Sequence, residues 1–281
     1  MLKCQPDFRP LRKPSTELSI NLCQRAFHLT HFVNRNGGTC SELGVYRGTT
    51  FCCQAGHIRR RYTGSRIIGF DSWKGLPNET SGVWTPPRHG RGDYAAPRDE
   101  VVGRLTRAGT SLHDPQFQLV DGYFSETLSE GLQTSIENVI FINADVDLYS
   151  STIELLDFVR PLLRPGLIIY WDDWQDPVDE NSEPWGERRA WDDWFGRQVG
   201  LTVETLEVNV LNQRSMIVTK IGSHALALPL PTLAEIRYHA YVLEVLHPDI
   251  NPSAIQLLYE FLKGKIGQLP GVRNAIQKIL N

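Results

Sequence analysis

The 281-residue sequence predicts an α/β fold built on a mostly parallel seven-stranded sheet with helices on both faces. Three observations carry that expectation. Strand-like and helix-like segments alternate along the chain as far as Trp171, the pattern of a parallel sheet built from crossover units. Two apolar runs, Val139 to Ala144 and Leu167 to Trp171, each deliver carboxylates at their C-terminal ends, where open α/β sheets build their sites. The last two strands are joined by Asn209 to Arg214, too short for a crossover helix, so they should close the sheet as an antiparallel pair.

Each element has a local reason. Thr16 can cap a helix in which Leu18, Leu22, Ala26, Leu29 and Val33 recur at helical spacing, and Asn36-Gly37-Gly38 ends it. A short strand to about Val45, a helix from Thr49 to Tyr62 and a strand from Arg66 to Phe70, closing on Asp71, come next. A helix around Asp99 to Ala108, a strand from Phe117 to Val120 and a short helix near Leu128 lead to the strand at Val139. A helix from Ser151 to Leu163 connects the two carboxylate-bearing strands, and one from Arg188 to Val199 precedes the final strands, Val203 to Val208 and Ser215 to Lys220. From Ser223 the pattern turns to helices interrupted by Pro229, Pro231, Pro248 and Pro252, with no further strand. The chain thus divides into an N-terminal helical segment (1–37), the α/β domain (38–222) and a helical extension (223–281). That extension either packs on the core or serves as a lid or a contact with a second copy of the chain.

Composition narrows the function classes. A content of 41% hydrophobic and 22% charged residues describes an ordinary globular protein, and a formal net charge of −3 gives no footing for nucleic acid or an anionic membrane. No apolar run approaches the ~20 residues of a membrane span, and Lys3, Asp7, Arg9, Arg12 and Lys13 stand where a signal peptide places its apolar core. The five cysteines, Cys4, Cys23, Cys40, Cys52 and Cys53, are odd in number and lack a CxxC spacing. They suit a reduced cytoplasm better than a disulfide framework or a zinc site.

Asp145, Asp147, Asp172 and Asp173 converge if their two strands are neighbours, and enclosed carboxylates are costly unless neutralised. The economical neutraliser is a hard divalent cation bound through oxygen. At the first strand, Glu42-Leu43-Gly44-Val45-Tyr46-Arg47-Gly48 has the glycines of a nucleotide-binding turn, with an acidic residue where a dinucleotide site has its first glycine. A carboxylate there would repel a pyrophosphate and suits a cationic ligand such as the sulfonium of S-adenosylmethionine. Asp71, ending the second strand, sits where a carboxylate accepts from ribose hydroxyls or caps a turn.

These stretches, with Gly69-Phe70-Asp71-Ser72-Trp73-Lys74-Gly75-Leu76-Pro77, Gly122-Tyr123-Phe124-Ser125-Glu126-Thr127-Leu128, Asp145-Val146-Asp147-Leu148-Tyr149-Ser150-Ser151-Thr152, and Pro165-Gly166 leading to Asp172-Asp173, resemble the macrocin O-methyltransferase family. They occur in the family's order, and Gly186-Glu187-Arg188-Arg189-Ala190-Trp191 is similar to its Gly-x-Arg-x-Ala helix. Tryptophans at 73, 171, 174, 191 and 194 and the leucine after Gly166 depart from its usual pattern. The resemblance implies a Rossmann-like class I fold and methyl transfer from S-adenosylmethionine to a sugar hydroxyl of a glycoside or other natural product, with Mg²⁺ or a similar cation. It further implies that Asp145, Asp172 and Asp173 hold the metal. Asp147 would stand near the acceptor, and Glu42, Gly44 and Asp71 would contact the cofactor; Tyr46, Ser72 and Asp121 are further candidates for the cofactor, and Asp145 joins Asp147 as a catalytic candidate.

An aliphatic hydroxyl is a poor nucleophile at neutral pH, so a base has to remove its proton; Asp147 is the first candidate and His113 the second. The aperiodic stretch from Thr80 to Pro97, with Trp84, Pro86, Pro87 and His89, reads either as a lid over the acceptor or as a disordered insertion. Trp191-Asp192-Asp193-Trp194 repeats the pattern at 171–174, but Trp191, Trp194 and Phe195 share one helix face and read as core. Arg59-Arg60-Arg61 reads as a solvated helix end. Two other readings stay open: an NAD-dependent enzyme, weakened by Glu42 and the terminal antiparallel pair, and a binding module without catalysis, which leaves the four aspartates without a purpose.

Overall fold

A computed structural model describes residues 16–174, 183–209, 211–226 and 235–236. The N-terminal helix α1 (Thr16–Val33) is followed by β1 (Thr39–Leu43), α2 (Thr49–Arg61), β2 (Arg66–Asp71), α3 (Arg98–Arg107), β3 (Phe117–Asp121), the short helices α4 (Phe124–Thr127) and α5 (Glu130–Ser135), and β4 (Val139–Ala144). Next come α6 (Tyr149–Val159) with a 3₁₀ turn at Arg160–Leu162, β5 (Ile168–Trp171), α7 (Gly186–Phe195), β6 (Leu201–Val208), β7 (Arg214–Ile221) and β8 (His224–Ala225). The α/β class, the parallel sheet and the terminal antiparallel pair are as the sequence predicts. One expectation needs correction: a strand does follow Ser223, the two-residue β8, which pairs with β7 at Lys220 and Ile221. A strand this short carries no periodicity, so no sequence pattern could announce it. Ile236 is fully buried among core residues, and the rest of the expected helical extension, 227–234 and 237–281, lies outside the described residues.

The strand order is β3-β2-β1-β4-β5-β7-β6. β1 pairs in parallel with both β2 and β4, so the chain winds outward through β2 and β3 and then returns to the other side of β1. That reversal opens a crevice between the C-terminal ends of β1 and β4, the usual ligand position of an open α/β sheet. β5 runs parallel to β4, while β7 is antiparallel to β5 and β6.

Alternation along β5 sorts its side chains into two cores. Ile168 and Tyr170 join the cluster formed with α1 and α2, whereas Leu167, Ile169 and Trp171 join the cluster formed with α6 and α7. The aromatic departures from the family pattern are largely core filling: Trp171, Trp174, Trp191 and Trp194 are all buried, and their neighbouring ring centroids lie 5.5 to 6.2 Å apart. Within α7 the second Trp-Asp-Asp-Trp run behaves as its periodicity predicts. Trp191 stacks on Phe195, while Asp192 and Asp193 turn outward to Arg188 and Arg189. Cys23, Cys40, Cys52 and Cys53 are free thiols, and no helix among the described residues is long and apolar enough to cross a membrane.

The N-terminal helix belongs to the core. Leu22, Ala26, Phe27, Leu29 and Val33 are buried, Thr30 Oγ1 donates to the Ile140 carbonyl at 2.5 Å, and the Phe27 ring meets Phe141 edge to face at 5.6 Å. Phe27→Ala should therefore cost about 3–5 kcal/mol in urea unfolding. A loss below about 1 kcal/mol would mean that α1 is not part of the cooperative unit.

Candidate active site

The turn after β1 reaches the loop after β4. The Asp145 N–H donates to the Leu43 carbonyl at 3.0 Å and the Gly44 N–H to the Phe70 carbonyl at 3.0 Å, tying β1, β2 and β4 together where the sheet reverses. Gly44 has φ +89°, and a Cβ there would come within 1.7 Å of the Asp145 carbonyl oxygen. Only glycine permits that approach. Gly186, at the start of α7, repeats the arrangement: with φ +52°, a Cβ there would lie 2.3 Å from the carbonyl oxygen of Asp147.

Beside this junction lies a cavity of about 770 Å³, whose lining includes Gly44, Tyr46, Asp71 and Ser72 together with Asp145, Asp147, Asp172 and Asp173. One carboxylate oxygen from each of Asp145, Asp147 and Asp173 lies within 4.8 Å of the others. Asp172 is turned differently: its Oδ1 accepts from the Tyr170 hydroxyl at 2.6 Å and from Gln213 Nε2 at 2.8 Å. The expected ligand trio named Asp172 where the local grouping has Asp147. Sequence spacing cannot distinguish these, because the choice depends on side-chain rotamers and on Gln213, which arrives from the turn between β6 and β7.

Enclosure by the protein, followed by repulsion from neighbouring carboxylates, holds Asp145 and Asp173 well above the usual carboxylate range. Asp172 is raised by the same enclosure, which the hydroxyl of Tyr170 partly offsets. This arrangement suits a hard cation: several oxygen donors face one point, they carry excess negative charge, and no basic residue lines the cavity among the described residues.

Two residues of this site escaped the sequence reading. Glu187 on α7 is fully buried, and its two oxygens accept from the backbone N–H groups of Val146 at 3.0 Å and Asp173 at 3.1 Å. It thereby clamps the loop after β4 to the loop after β5. Burial raises its carboxyl well above the ordinary range, against the pull of the Val146 N–H. The Gly-x-Arg-x-Ala resemblance was the available signal, but it drew attention to the residues around Glu187 rather than to Glu187 itself. The other is His89, whose Nε2 lies 3.0 Å from Asp147 Oδ1. His113, the second candidate base, requires correction. It is exposed and precedes β3, at the opposite end of the sheet from the carboxylates.

The loop that carries His89 is ordered over the site. The Leu76 N–H donates to the Asp93 carbonyl and the Gly92 N–H to the Leu76 carbonyl, both at 2.9 Å, and Glu79 caps the start of α6 by accepting from the Ser150 N–H at 3.0 Å. Gly75, Leu76, Pro77, Asn78, Thr80 and Tyr94 form one wall of the cavity.

Of the expected cofactor residues, Gly44, Tyr46, Asp71 and Ser72 line the cavity, whereas Glu42 and Asp121 do not. Asp71 receives the N–H groups of Tyr46 at 2.7 Å and Trp73 at 2.6 Å, which fix its carboxylate at the cavity wall. Asp121 accepts from Trp73 Nε1 and Arg98 Nε, both at 2.8 Å, outside the cavity. Glu42 lies beneath the turn, where Asn143 and the Phe51 N–H donate to it.

The comparisons with known proteins fit this geometry. A family profile described as a methyltransferase domain matches residues 41–174. Residues 41–174 are thus similar to a methyltransferase domain. The resemblance read from the motifs is borne out at that level. Over 143 residues the chain is 31% identical to the 8-demethyl-8-(2,3-dimethoxy-alpha-L-rhamnosyl)-tetracenomycin-C 4'-O-methyltransferase of Streptomyces olivaceus, covering 49% of this chain and 53% of that protein. The chain thus spans about half the length of this curated relative. In fold it is similar to the O-methyltransferase NovP (TM-score 0.56, 21% identity) and to the calicheamicin methyltransferase CalS11 (TM-score 0.55, 24% identity), each match covering 70% of this chain and 79% of the other.

The burial of Glu42 gives a pH-dependent expectation. Burial pushes its carboxyl up to about 8, with the Asn143 and Phe51 donors opposing. A raised folded-state pKa means that the native chain holds this proton more tightly than the unfolded chain. The resulting stability is complete below the ordinary value near 4.5 and is lost as pH rises through about 8. Glu42→Gln should therefore gain stability relative to the parent as pH climbs across that window and hold a constant difference above it. Urea unfolding at a series of pH values measures this, and parallel curves for the two proteins would refute it.

Proposed function

We propose that the chain moves a methyl group from S-adenosylmethionine to a sugar hydroxyl of a glycoside or related natural product, with the help of a hard divalent cation such as Mg²⁺. The observation that carries this reading is the adjacency, in one cavity, of the Gly44 turn with Asp71 and the carboxylates after β4 and β5. The tetracenomycin relative supports the acceptor class, since its name specifies O-methylation of a rhamnosyl compound. Residues 38–222 would make up the catalytic domain, with the cofactor at Gly44, Tyr46, Asp71 and Ser72.

Asp145 and Asp173 would hold the cation, with Asp172 as third ligand and Asp147 free to take the proton of the acceptor hydroxyl. When bound, such a cation supplies Lewis acidity that lowers the pKa of a hydroxyl beside it. Asp147 is buried, and its contact with His89 aims the carboxylate and shields it from water. A second reading is favoured by the grouping of Asp145, Asp147 and Asp173 and by the hydrogen bonds that occupy Asp172. In it, Asp147 is the third ligand and Asp172 supports the site from behind. Glu187 positions both loops in either case.

Chelation should abolish methyl transfer and leave the affinity for S-adenosylmethionine intact, because the residues assigned to the cofactor differ from those assigned to the cation. Isothermal titration alongside a methyl-transfer assay tests this, and full activity after metal analysis finds no cation would contradict it.

The aspartates separate the two readings. Asp145→Ala and Asp173→Ala should each raise the Mg²⁺ concentration needed for activity, since each removes an oxygen ligand and a charge. If Asp147 is the base, Asp147→Asn should keep the metal requirement and acceptor binding while lowering the rate by about 10²–10⁴-fold. Rescue of Asp147→Asn by added Mg²⁺, with Asp172→Ala retaining its metal affinity, would establish the second reading in place of the first.

A further inference from the structure

Among the described residues, the exposed large aromatic side chains are Tyr46, Trp84 and Tyr94. All three belong to one arc. Tyr46 and Tyr94 line the cavity and meet edge to face at 6.0 Å. Tyr94 lies 5.7 Å from the ring of His89, which lies 5.2 Å from Trp185, and Trp185 meets Trp84 edge to face at 6.1 Å and 90°. The arc starts at the cavity wall with Tyr46 and Tyr94, touches the carboxylates through the contact of His89 with Asp147, and runs outward to Trp185 and Trp84, which stand beyond the lining. Trp84 closes the series, anchored at its edge by Trp185 and yet 66% exposed. An indole left this open forfeits much of its burial energy, whereas a ligand ring laid on its face would recover it.

Charge narrows the identity of that ligand. Asp71, Asp145, Asp147, Glu154, Asp172 and Asp173 line the cavity, and no Lys, Arg or His does so among the described residues. Arg88 and Arg91 on the same loop are exposed and do not line it. Such a lining offers a diphosphate no basic side chain to pair with, so a nucleotide-activated sugar would leave its charge unmatched beside carboxylates. An uncharged acceptor would not.

From this combination we infer that the acceptor is a neutral glycoside whose sugar meets the carboxylates while a flat aromatic aglycone stacks on Trp84. The inference rests on the methyl-transfer reading and names the substrate class of that same site. Trp84 is on this view a specificity-determining residue: it discriminates a finished glycoside from a free or nucleotide-linked sugar and has no part in the chemistry.

The test is isothermal titration of the full chain, in the presence of Mg²⁺ and S-adenosylhomocysteine, with 2-naphthyl α-L-rhamnopyranoside, methyl α-L-rhamnopyranoside and dTDP-rhamnose. The naphthyl compound should bind about tenfold more tightly than the methyl compound, the size of effect expected of one good aromatic contact, and dTDP-rhamnose should bind most weakly. Trp84→Ala should lose the naphthyl preference and Trp84→Phe should keep it, while the affinity for S-adenosylhomocysteine stays the same in both and reports that the variants are folded. Equal binding of the two rhamnosides, a preference that survives in Trp84→Ala, tightest binding by dTDP-rhamnose, or no binding by any of the three would overturn the inference. Failure of the methyl-transfer reading itself would register separately, as an inability to bind S-adenosylhomocysteine.

Discussion

Negative charge gathered in an enclosed space is the constraint on which this structure turns. Asp145, Asp147, Asp172, Asp173 and Glu187 meet where β4 and β5 end, and loss of water, added to by their mutual repulsion, raises the carboxyls of Asp145, Asp173 and Glu187 well above their ordinary range. Such a cluster persists only if the surrounding chain fixes each carboxylate. Gly44 lets the β1 turn press against the Asp145 carbonyl, Gly186 lets α7 start against the Asp147 carbonyl, and Glu187 fastens the two carboxylate loops through their backbone N–H groups. Tyr170 and Gln213 hold Asp172, and His89 meets Asp147.

The cores on either face serve the same end. Trp171 of β5, Trp174 in the loop after it, and Trp191 and Trp194 of α7 pack in series and fix the helix that carries Glu187. On the other face, α1 and α2 back the strands that carry Glu42 and the Gly44 turn. Rigid elements with the reactive groups on the loops at their ends are the usual division of labour in α/β folds. The long connection between β2 and α3 adds what the sheet cannot provide, a wall that brings His89 to Asp147 and sets an aromatic arc around the opening.

Local pattern made much of this legible in the sequence. The alternating elements, the antiparallel ending and the carboxylates at neighbouring strand ends could be read because periodicity and turn residues act over a few positions. Asp71 and Gly44 could be singled out because a glycine turn and an acid at a strand end have fixed places in such sheets. The parts that could not be read are contacts between distant segments. Val146 and Glu187 are 41 residues apart in sequence, and Asp172 and Gln213 are likewise 41 apart. His89 sits in an aperiodic loop, where nothing nearby distinguishes it from His113.

The sequence by itself therefore determined the architecture, the end of the sheet that bears the site, and the chemical character of that site as a cluster of hard oxygen donors beside a glycine turn. Hydrophobic period and residue type are properties of short stretches and survive without knowledge of the fold. Only the tertiary structure decided which aspartate oxygens share one point, which histidine touches them, that a buried glutamate joins their loops, and that Trp84 stands open at the end of an aromatic arc. Those outcomes depend on rotamers and on the docking of loops far apart in the chain, and packing sets them after the elements have formed.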